Sequence, residues 1–246
     1  MPDPTEFSNE TPSRDDLRAQ MGRVIEQYLK LDHELRQVEN TNFRVCIFGS
    51  ARIRRSDPAY ELVYNVAKRL SEMGMDIVTG GGPGLMEAAN RAVTDVHSAN
   101  SKSYGLPLDI PTLREPANRH LDIKSAHQRF SSRLDEFIRL SHAVIVAPGG
   151  IGTLLELSYV WQLLQIRLVE PRPAILLGAD YWKGLIDWMR KEMAGRAFVN
   201  PEDIDIVQIV NEPDEVVEIL AREQETYLRN FHNNHMPFIG TAASQE

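Results

Sequence analysis

Three short segments of this sequence bring glycines together with hydroxyl and acidic residues at spacings that could do chemistry. Phe48-Gly49-Ser50-Ala51-Arg52 sets a glycine beside a hydroxyl, so its backbone N–H groups could face a ligand, although a plain tight turn explains it equally well. Thr79-Gly80-Gly81-Gly82-Pro83-Gly84-Leu85-Met86-Glu87 is more pointed. Glycine opens backbone angles closed to other residues and permits close approach to a ligand, while Pro83 suits a helix's first turn. A helix starting there would offer free N–H groups and its dipole to an anion. In Pro148-Gly149-Gly150-Ile151-Gly152-Thr153-Leu154-Leu155-Glu156, the pair Thr153 and Glu156 fits a helix capping box. A cap does not explain the glycines at 149, 150 and 152, which read as a backbone cradle for phosphate. Thr153 would add a hydroxyl donor there, and Glu156 would stand at the mouth, placed to hold ribose hydroxyls or orient a water. None of these segments is a Walker loop or a G-x-G-x-x-G fingerprint, so a triphosphate or dinucleotide site is not indicated.

The surrounding pattern supplies the elements that must position them. Val45–Phe48, Met75–Thr79, Ala143–Ala147, Ala174–Leu177 and Ile204–Val210 are apolar runs expected as strands, with Ser103–Leu106 as a weaker one. Between them lie helical periods: Leu62, Val66, Leu70 and Met73 after Asp57-Pro58; Leu85, Ala88, Ala89, Ala92 and Val93; Leu154 to about Leu164; Trp182, Leu185, Ile186 and Met189. Strands that alternate with helices and lack polar alternation of their own indicate a parallel sheet covered on both faces. The expected fold is therefore α/β, a Rossmann-like doubly wound parallel sheet with helices on both faces plus an extra N-terminal helix. In such sheets ligands bind beyond the carboxyl ends of the strands, where strand order reverses.

The ends are read separately. Residues 1–14 form a polar, acidic head expected to be disordered, and 15–40 an N-terminal helix on which Leu17, Met21, Val24, Tyr28, Leu31, Leu35 and Val38 recur at alternating spacings of four and three. That stripe suits a partner helix in an oligomer or packing onto the chain's own body. Residues 41–231 form a single nucleotide-binding domain, with 232–246 a loose tail.

Composition excludes several classes. A formal net charge of -8 over 246 residues argues against binding nucleic acid backbones. One cysteine, Cys46, inside an apolar run, allows neither an intrachain disulfide nor a cysteine-based zinc site, and no histidine pair has metal-ligand spacing. No metal and no cofactor are expected. Without a stretch near the roughly 18 apolar residues of a membrane span or a signal h-region, the protein is expected to be soluble and cytoplasmic, with no membrane partner.

The pair Gly-Gly-Gly-Pro-Gly-Leu-Met and Pro-Gly-Gly-x-Gly-Thr-x-x-Glu resembles the LOG family, long labelled lysine decarboxylase; the likeness spans about Phe43 to Met193. The resemblance implies a Rossmann-like dimer or higher homo-oligomer that releases the base and ribose 5-phosphate from nucleoside 5′-monophosphates such as AMP or cytokinin ribotides. It further implies an arginine 15 residues ahead of Pro148, which is Arg133, acting with Glu156 as the catalytic pair. Leu134 stands where the family usually has lysine, and Phe130 where many members have methionine. Glu115-Pro116-Ala117-Asn118 resembles the substrate loop of the bacterial branch, and Glu87 replaces a glycine of the plant-like branch, favouring AMP-like substrates. The expected nucleotide or phosphate ligands are Gly49, Ser50, Gly81, Gly82, Gly84, Met86, Glu87, Asn118, Gly149, Gly150, Gly152 and Thr153.

Each role has a bland counterpart. Arg133 could be a surface arginine paired with Asp135 or Glu136, and His127 and His142 read as structural or solvent-facing. The decarboxylase label fails on chemistry, since Lys68, Lys102, Lys124 and Lys183 all lie away from the glycine junctions where a pyridoxal Schiff base would be needed. Two other readings stay open: a non-catalytic nucleotide or phosphorylated-cofactor carrier resembling the molybdenum-cofactor carriers, which Leu134 favours, and an assembly protein built on the N-terminal helix.

Overall fold

A computed structural model describes residues 13–39, 42–110 and 116–235. The chain divides into two units, 1–41 and 42–246. In the first lies α1 (Arg14–Glu39). Its start is set by Ser13, which belongs to the stretch expected as a disordered head. The Ser13 hydroxyl accepts the Asp16 N–H at 3.1 Å, and the Asp16 carboxylate accepts the Ser13 N–H at 3.2 Å, a reciprocal cap. The rest of that head, residues 1–12, lies outside the described residues.

The second unit runs β1 (Arg44–Phe48), α2 (Pro58–Glu72), β2 (Asp76–Thr79), α3 (Leu85–Val96), β3 (Ser103–Gly105), β4 (Ile123–Lys124), α4 (Phe130–Leu140), β5 (Ala143–Val146), α5 (Ile151–Gln165), β6 (Ala174–Leu177), α6 (Ala179–Trp188), α7 (Pro201–Ile204), β7 (Val207–Val210) and α8 (Pro213–His235). All the strand pairs are parallel, in the order β4-β3-β2-β1-β5-β6-β7. The chain winds outward from β1 to β4, then returns to β1's other side as β5 and winds outward again. The reversal falls between β1 and β5, in register from Val45↔Ala143 to Phe48↔Val146.

Alternating strand residues feed two cores. Val45, Ile47, Ile77 and Ile145 join the buried faces of α2, α3 and α8. Cys46, Phe48, Val144 and Val146 join those of α4, α5 and α6. The doubly wound architecture is thus as expected from the unbroken apolar strands, both of whose faces are buried.

Local differences have identifiable causes. The buried face of α2 is Tyr60, Val63, Val66, Ala67 and Leu70, whereas Leu62 is half-buried and Met73 39% exposed at the C-cap. Asp57 caps the helix, its carboxylate accepting the Ala59 N–H at 2.9 Å. Ile204 closes the short helix α7, so the last strand begins at Val207. β4 has only two residues at the sheet edge, both exposed, and gives no apolar run to read. Between α6 and α7 the chain makes a π-helical turn, Met189–Met193, and a 3-10 turn, Ala194–Arg196, that periodicity does not foresee. α8 continues through His235, into the stretch expected as tail; the remainder of that tail lies outside the described residues.

Candidate active site

The first and third glycine segments meet at the β1–β5 reversal. The Ser50 N–H donates to the Pro148 carbonyl at 3.0 Å, tying the two loops together across the switch point. The Ser50 carbonyl accepts the Leu85 N–H at 3.0 Å, so the first N–H of α3 is already bonded to protein. Gly84, at φ +68°, makes that seat possible: a Cβ there would stand 2.7 Å from the Ala51 carbonyl carbon and nearer still to the Ser50 oxygen. A Cβ on Gly49 would meet the Leu85 Cβ at 2.9 Å. The Gly81 N–H is held by Thr79 Oγ1 at 2.9 Å. These glycines, and Ser50, therefore serve a tightly packed junction, and the Ser50 and Gly81 N–H groups are committed to it.

A buried polar network braces this junction from beneath. Thr79 Oγ1 donates to Asn90 Oδ1 at 2.7 Å, and Asn90 Nδ2 donates to Ser103 Oγ at 2.8 Å. Asn118 donates its backbone N–H to the Gly81 carbonyl at 2.7 Å and its amide to the Gly82 carbonyl and to Asn90 Oδ1, each at 2.9 Å. Asn118, expected in a substrate loop, thus comes to the second glycine loop, and its amide is spent on that loop's backbone and on Asn90; Glu115 lies outside the described residues. Asn90 is the residue that sequence reasoning missed: fully buried and polar within a face of Leu85, Ala88, Ala89 and Ala92. A lone amide among small apolar neighbours was the available signal, because such a group must find partners inside. Of the remaining expected ligands in this segment, Met86 is buried, and Glu87 is ion-paired with Arg55 of the β1–α2 loop.

The α5 end is built differently. The helix begins at Ile151 with Gly150 as its N-cap and no side-chain cap, so Thr153 and Glu156 lie inside the helix and do not form a capping box. The glycines ahead of Thr153 let the chain enter the helix three residues earlier than the cap would. Thr153 is buried and fills the space above Gly149, where a Cβ would lie 2.7 Å from its Cγ2. Gly150 and Gly152 are exposed, and a Cβ on either would meet nothing within 4 Å. The first intrahelical bond runs from the Leu154 N–H to the Gly150 carbonyl, which leaves the Ile151, Gly152 and Thr153 N–H groups without an acceptor in the helix. This end can accept an anion.

Arg133 on α4 and Glu156 on α5 meet here, Nη1 to Oε1 at 3.6 Å, with side chains only 9% and 14% exposed. Arg133 is fixed on its other sides. Its Nε donates to the Leu106 carbonyl at 2.7 Å, and the guanidinium lies 5.1 Å from the Phe137 ring centroid. A Cβ on Gly80 would sit 2.7 Å from Met86 Sδ and closer still to Arg133 Nη2, so Gly80 makes room for the guanidinium. Gly80 is a further site residue that the motif contained without marking. The bland reading of Arg133 does not hold: Asp135 is bonded to Tyr159, and Glu136 to Arg139. Leu134, where a lysine was anticipated, is buried.

The two histidines separate. His142 precedes β5, at the opposite end of the strands, between the rings of Phe43 and Tyr227; burial and the nearby Arg44 and Arg172 push its pKa down to about 3. His127 lies on the loop before α4, where burial, and to a lesser degree Arg133, lowers its pKa. Its Nδ1 is 3.2 Å from Ser132 Oγ, whose own hydrogen goes to the Arg129 carbonyl, so the neutral ring donates through Nδ1. Its Nε2 is then a buried acceptor without a hydrogen-bond partner among the described residues.

The family model described as "Possible lysine decarboxylase" matches residues 86–220, more than half of the chain. The chain belongs to this family, whose plant members carry the name LOG. It is 29% identical over 161 residues to the pyrimidine/purine nucleotide 5′-monophosphate nucleosidase of Escherichia coli K12, covering 61% of this chain and 35% of that protein. It is 35% identical over 146 residues to the rice cytokinin riboside 5′-monophosphate phosphoribohydrolase LOG, covering 56% and 55%. The chain therefore spans about a third of the bacterial relative and about half of the plant one. Among solved structures, the molybdenum cofactor binding protein of Rippkaea orientalis superposes with a TM-score of 0.55 at 18% identity, covering 75% of this chain and 98% of that one. The molybdenum cofactor carrier protein of Chlamydomonas reinhardtii gives 0.54 at 16%, covering 74% and 98%. At these identities the likeness is one of fold. Among the described residues, no helix is long and apolar enough to cross a membrane.

Proposed function

We propose that this protein hydrolyses the N-glycosidic bond of a nucleoside 5′-monophosphate, giving the free base and ribose 5-phosphate. The observation that carries this reading is the Arg133–Glu156 pair, 3.6 Å apart beside the uncapped, open N-terminus of α5. The 5′-phosphate would lie on the N–H groups of Ile151, Gly152 and Thr153, where helix dipole and free donors coincide. The sugar would then lie over Glu156. As the C1′–N bond breaks, its electron pair leaves with the base and positive charge grows on the sugar, which a fixed carboxylate stabilises. Water adds to C1′ and gives a proton to Glu156, and that proton passes on to the departing base, which returns Glu156 to its ionised form. Arg133 keeps the carboxylate oriented while itself held by Leu106 and Phe137.

The names of the relatives support this reaction class, and AMP is our first choice of substrate. A cytoplasmic protein acting without metal or cofactor belongs to the same proposal, as does a homo-oligomer. For the oligomer the support is a row of apolar side chains on α5 beside the site, with Ile151 82% and Leu155 44% exposed.

The test is incubation with a panel of nucleoside 5′-monophosphates and chromatographic detection of the base. Adenine release from AMP is expected, falling roughly 10²- to 10⁴-fold in Glu156→Gln, the range of a lost acid–base group. Wild-type rates in Glu156→Gln and Arg133→Ala would dismiss these residue roles. Tight nucleotide binding with no release by the unaltered protein would favour a carrier, a reading that the buried Leu134 and the carrier-like fold support.

A further inference from the structure

We infer that α1 pairs antiparallel with α1 of a second copy of this chain. In this 26-residue helix Leu17, Met21, Val24, Tyr28 and Leu31 are all 47 to 64% exposed. A helix in water owes most of its stability to packing of its apolar face, and Gly22 in its middle weakens it further, so the stripe requires a cover. The spacing specifies what kind. Alternate steps of four and three keep one seam facing a neighbour over successive heptads, which is the geometry of helix against helix. Leu17, Val24 and Leu31 take the d positions, and Met21 and Tyr28 the a positions.

The orientation follows from the residues on and beside the seam. With two antiparallel copies, a residues pair with d residues of the partner copy, so that Tyr28 meets Val24 and Met21 meets Leu31. The bulkiest side chain of the seam then packs on the smallest in both central layers. Beside the seam, Ile25 holds an e position and is 53% exposed. In this alignment it meets Ile25 of the second copy, which accounts for an isoleucine where a polar residue is usual. A parallel pair would instead stack Arg14 on Arg14 and Tyr28 on Tyr28 at a positions. Like charges there oppose the parallel form.

Two measurements on the full-length chain test this. Sedimentation equilibrium of Val24→Glu should give half the mass of the unaltered protein, whether that mass is a dimer or a larger assembly; an unchanged mass overturns the pairing. Cross-linking with a bismaleimide of about 10 Å reach then reads orientation without disturbing the seam. Cys46 is fully buried, so only an introduced thiol reacts. Gln27→Cys should cross-link to itself across the centre of the pair, whereas Arg14→Cys should not, its two copies standing about 36 Å apart along the axis at 1.5 Å per residue. Efficient cross-linking through Arg14→Cys, or none through Gln27→Cys, would sink the proposal.

Discussion

At the start of α3 the leading N–H is bonded to the Ser50 carbonyl, Gly84 is wedged against Ser50 and Ala51, and Asn118 clamps the loop from the side. At the start of α5 the leading N–H groups have no helical acceptor, and Gly150 and Gly152 face open space. Both loops are glycine-rich, both follow a buried strand, and both open a helix. One is closed on protein, and the other is available to a ligand. Glycine clusters therefore arise from two opposite requirements, the need to bring backbone against backbone and the need to leave room for something else. Only the neighbours of each missing Cβ tell them apart.

That contrast can be broken by substitution. Gly84→Ala should cost at least ~3 kcal/mol, because it adds a positive-φ penalty to a backbone clash; a melting temperature near that of the unaltered chain would show that the α3 junction yields. Asn90→Ala should cost about 2–3 kcal/mol by leaving Thr79, Ser103 and Asn118 short of partners, with denaturant midpoints as the readout.

The opposite ends of β1 and β5 offer a pH test of whether the two loops share one scaffold. His142 Nδ1 accepts the Arg44 N–H at 2.9 Å, so the folded state holds the ring neutral. Its pKa falls from 6.5 to about 3 on folding, and between those values the unfolded chain binds the extra proton. Its stabilising contribution is thus complete above pH 6.5 and is lost as pH falls toward 3, at no more than ~1.4 kcal/mol per pH unit. In His142→Gln the acid slope in this window should flatten; an unaltered slope would assign acid sensitivity to other groups.

The smallest effect on stability is the most telling. Gly152→Ala should leave the melting temperature unchanged or raise stability by about 0.5–1 kcal/mol, since the added Cβ meets nothing and a helical glycine is removed. Nucleotide binding should nevertheless weaken at least tenfold. Retained affinity would mean that the open α5 end is not the phosphate cradle.

Much of this was legible in the residues. The apolar runs Val45–Phe48 and Ala143–Ala147 announced buried parallel strands, because a strand covered on both faces has no polar alternation to hide it. The heptad stripe announced α1, and the glycine motifs marked the loops that follow β1, β2 and β5. The β4 edge strand was not legible, since two exposed residues carry no pattern. Nor was the rejection of the Thr153–Glu156 cap, for a local motif cannot reveal where its helix begins.

The sequence alone determined the class of fold and the strands that carry the loops, because these depend on periodicity along the chain, while the resemblance to the LOG family singled out Arg133 and Glu156 as candidates. Only the tertiary structure decided which glycine loop is closed and which is open, that Gly80 yields its space to the Arg133 guanidinium, and that Asn118 and Asn90 brace a backbone. Each of these depends on atoms distant in sequence arriving within a few ångströms, and no spacing along a chain encodes that distance directly.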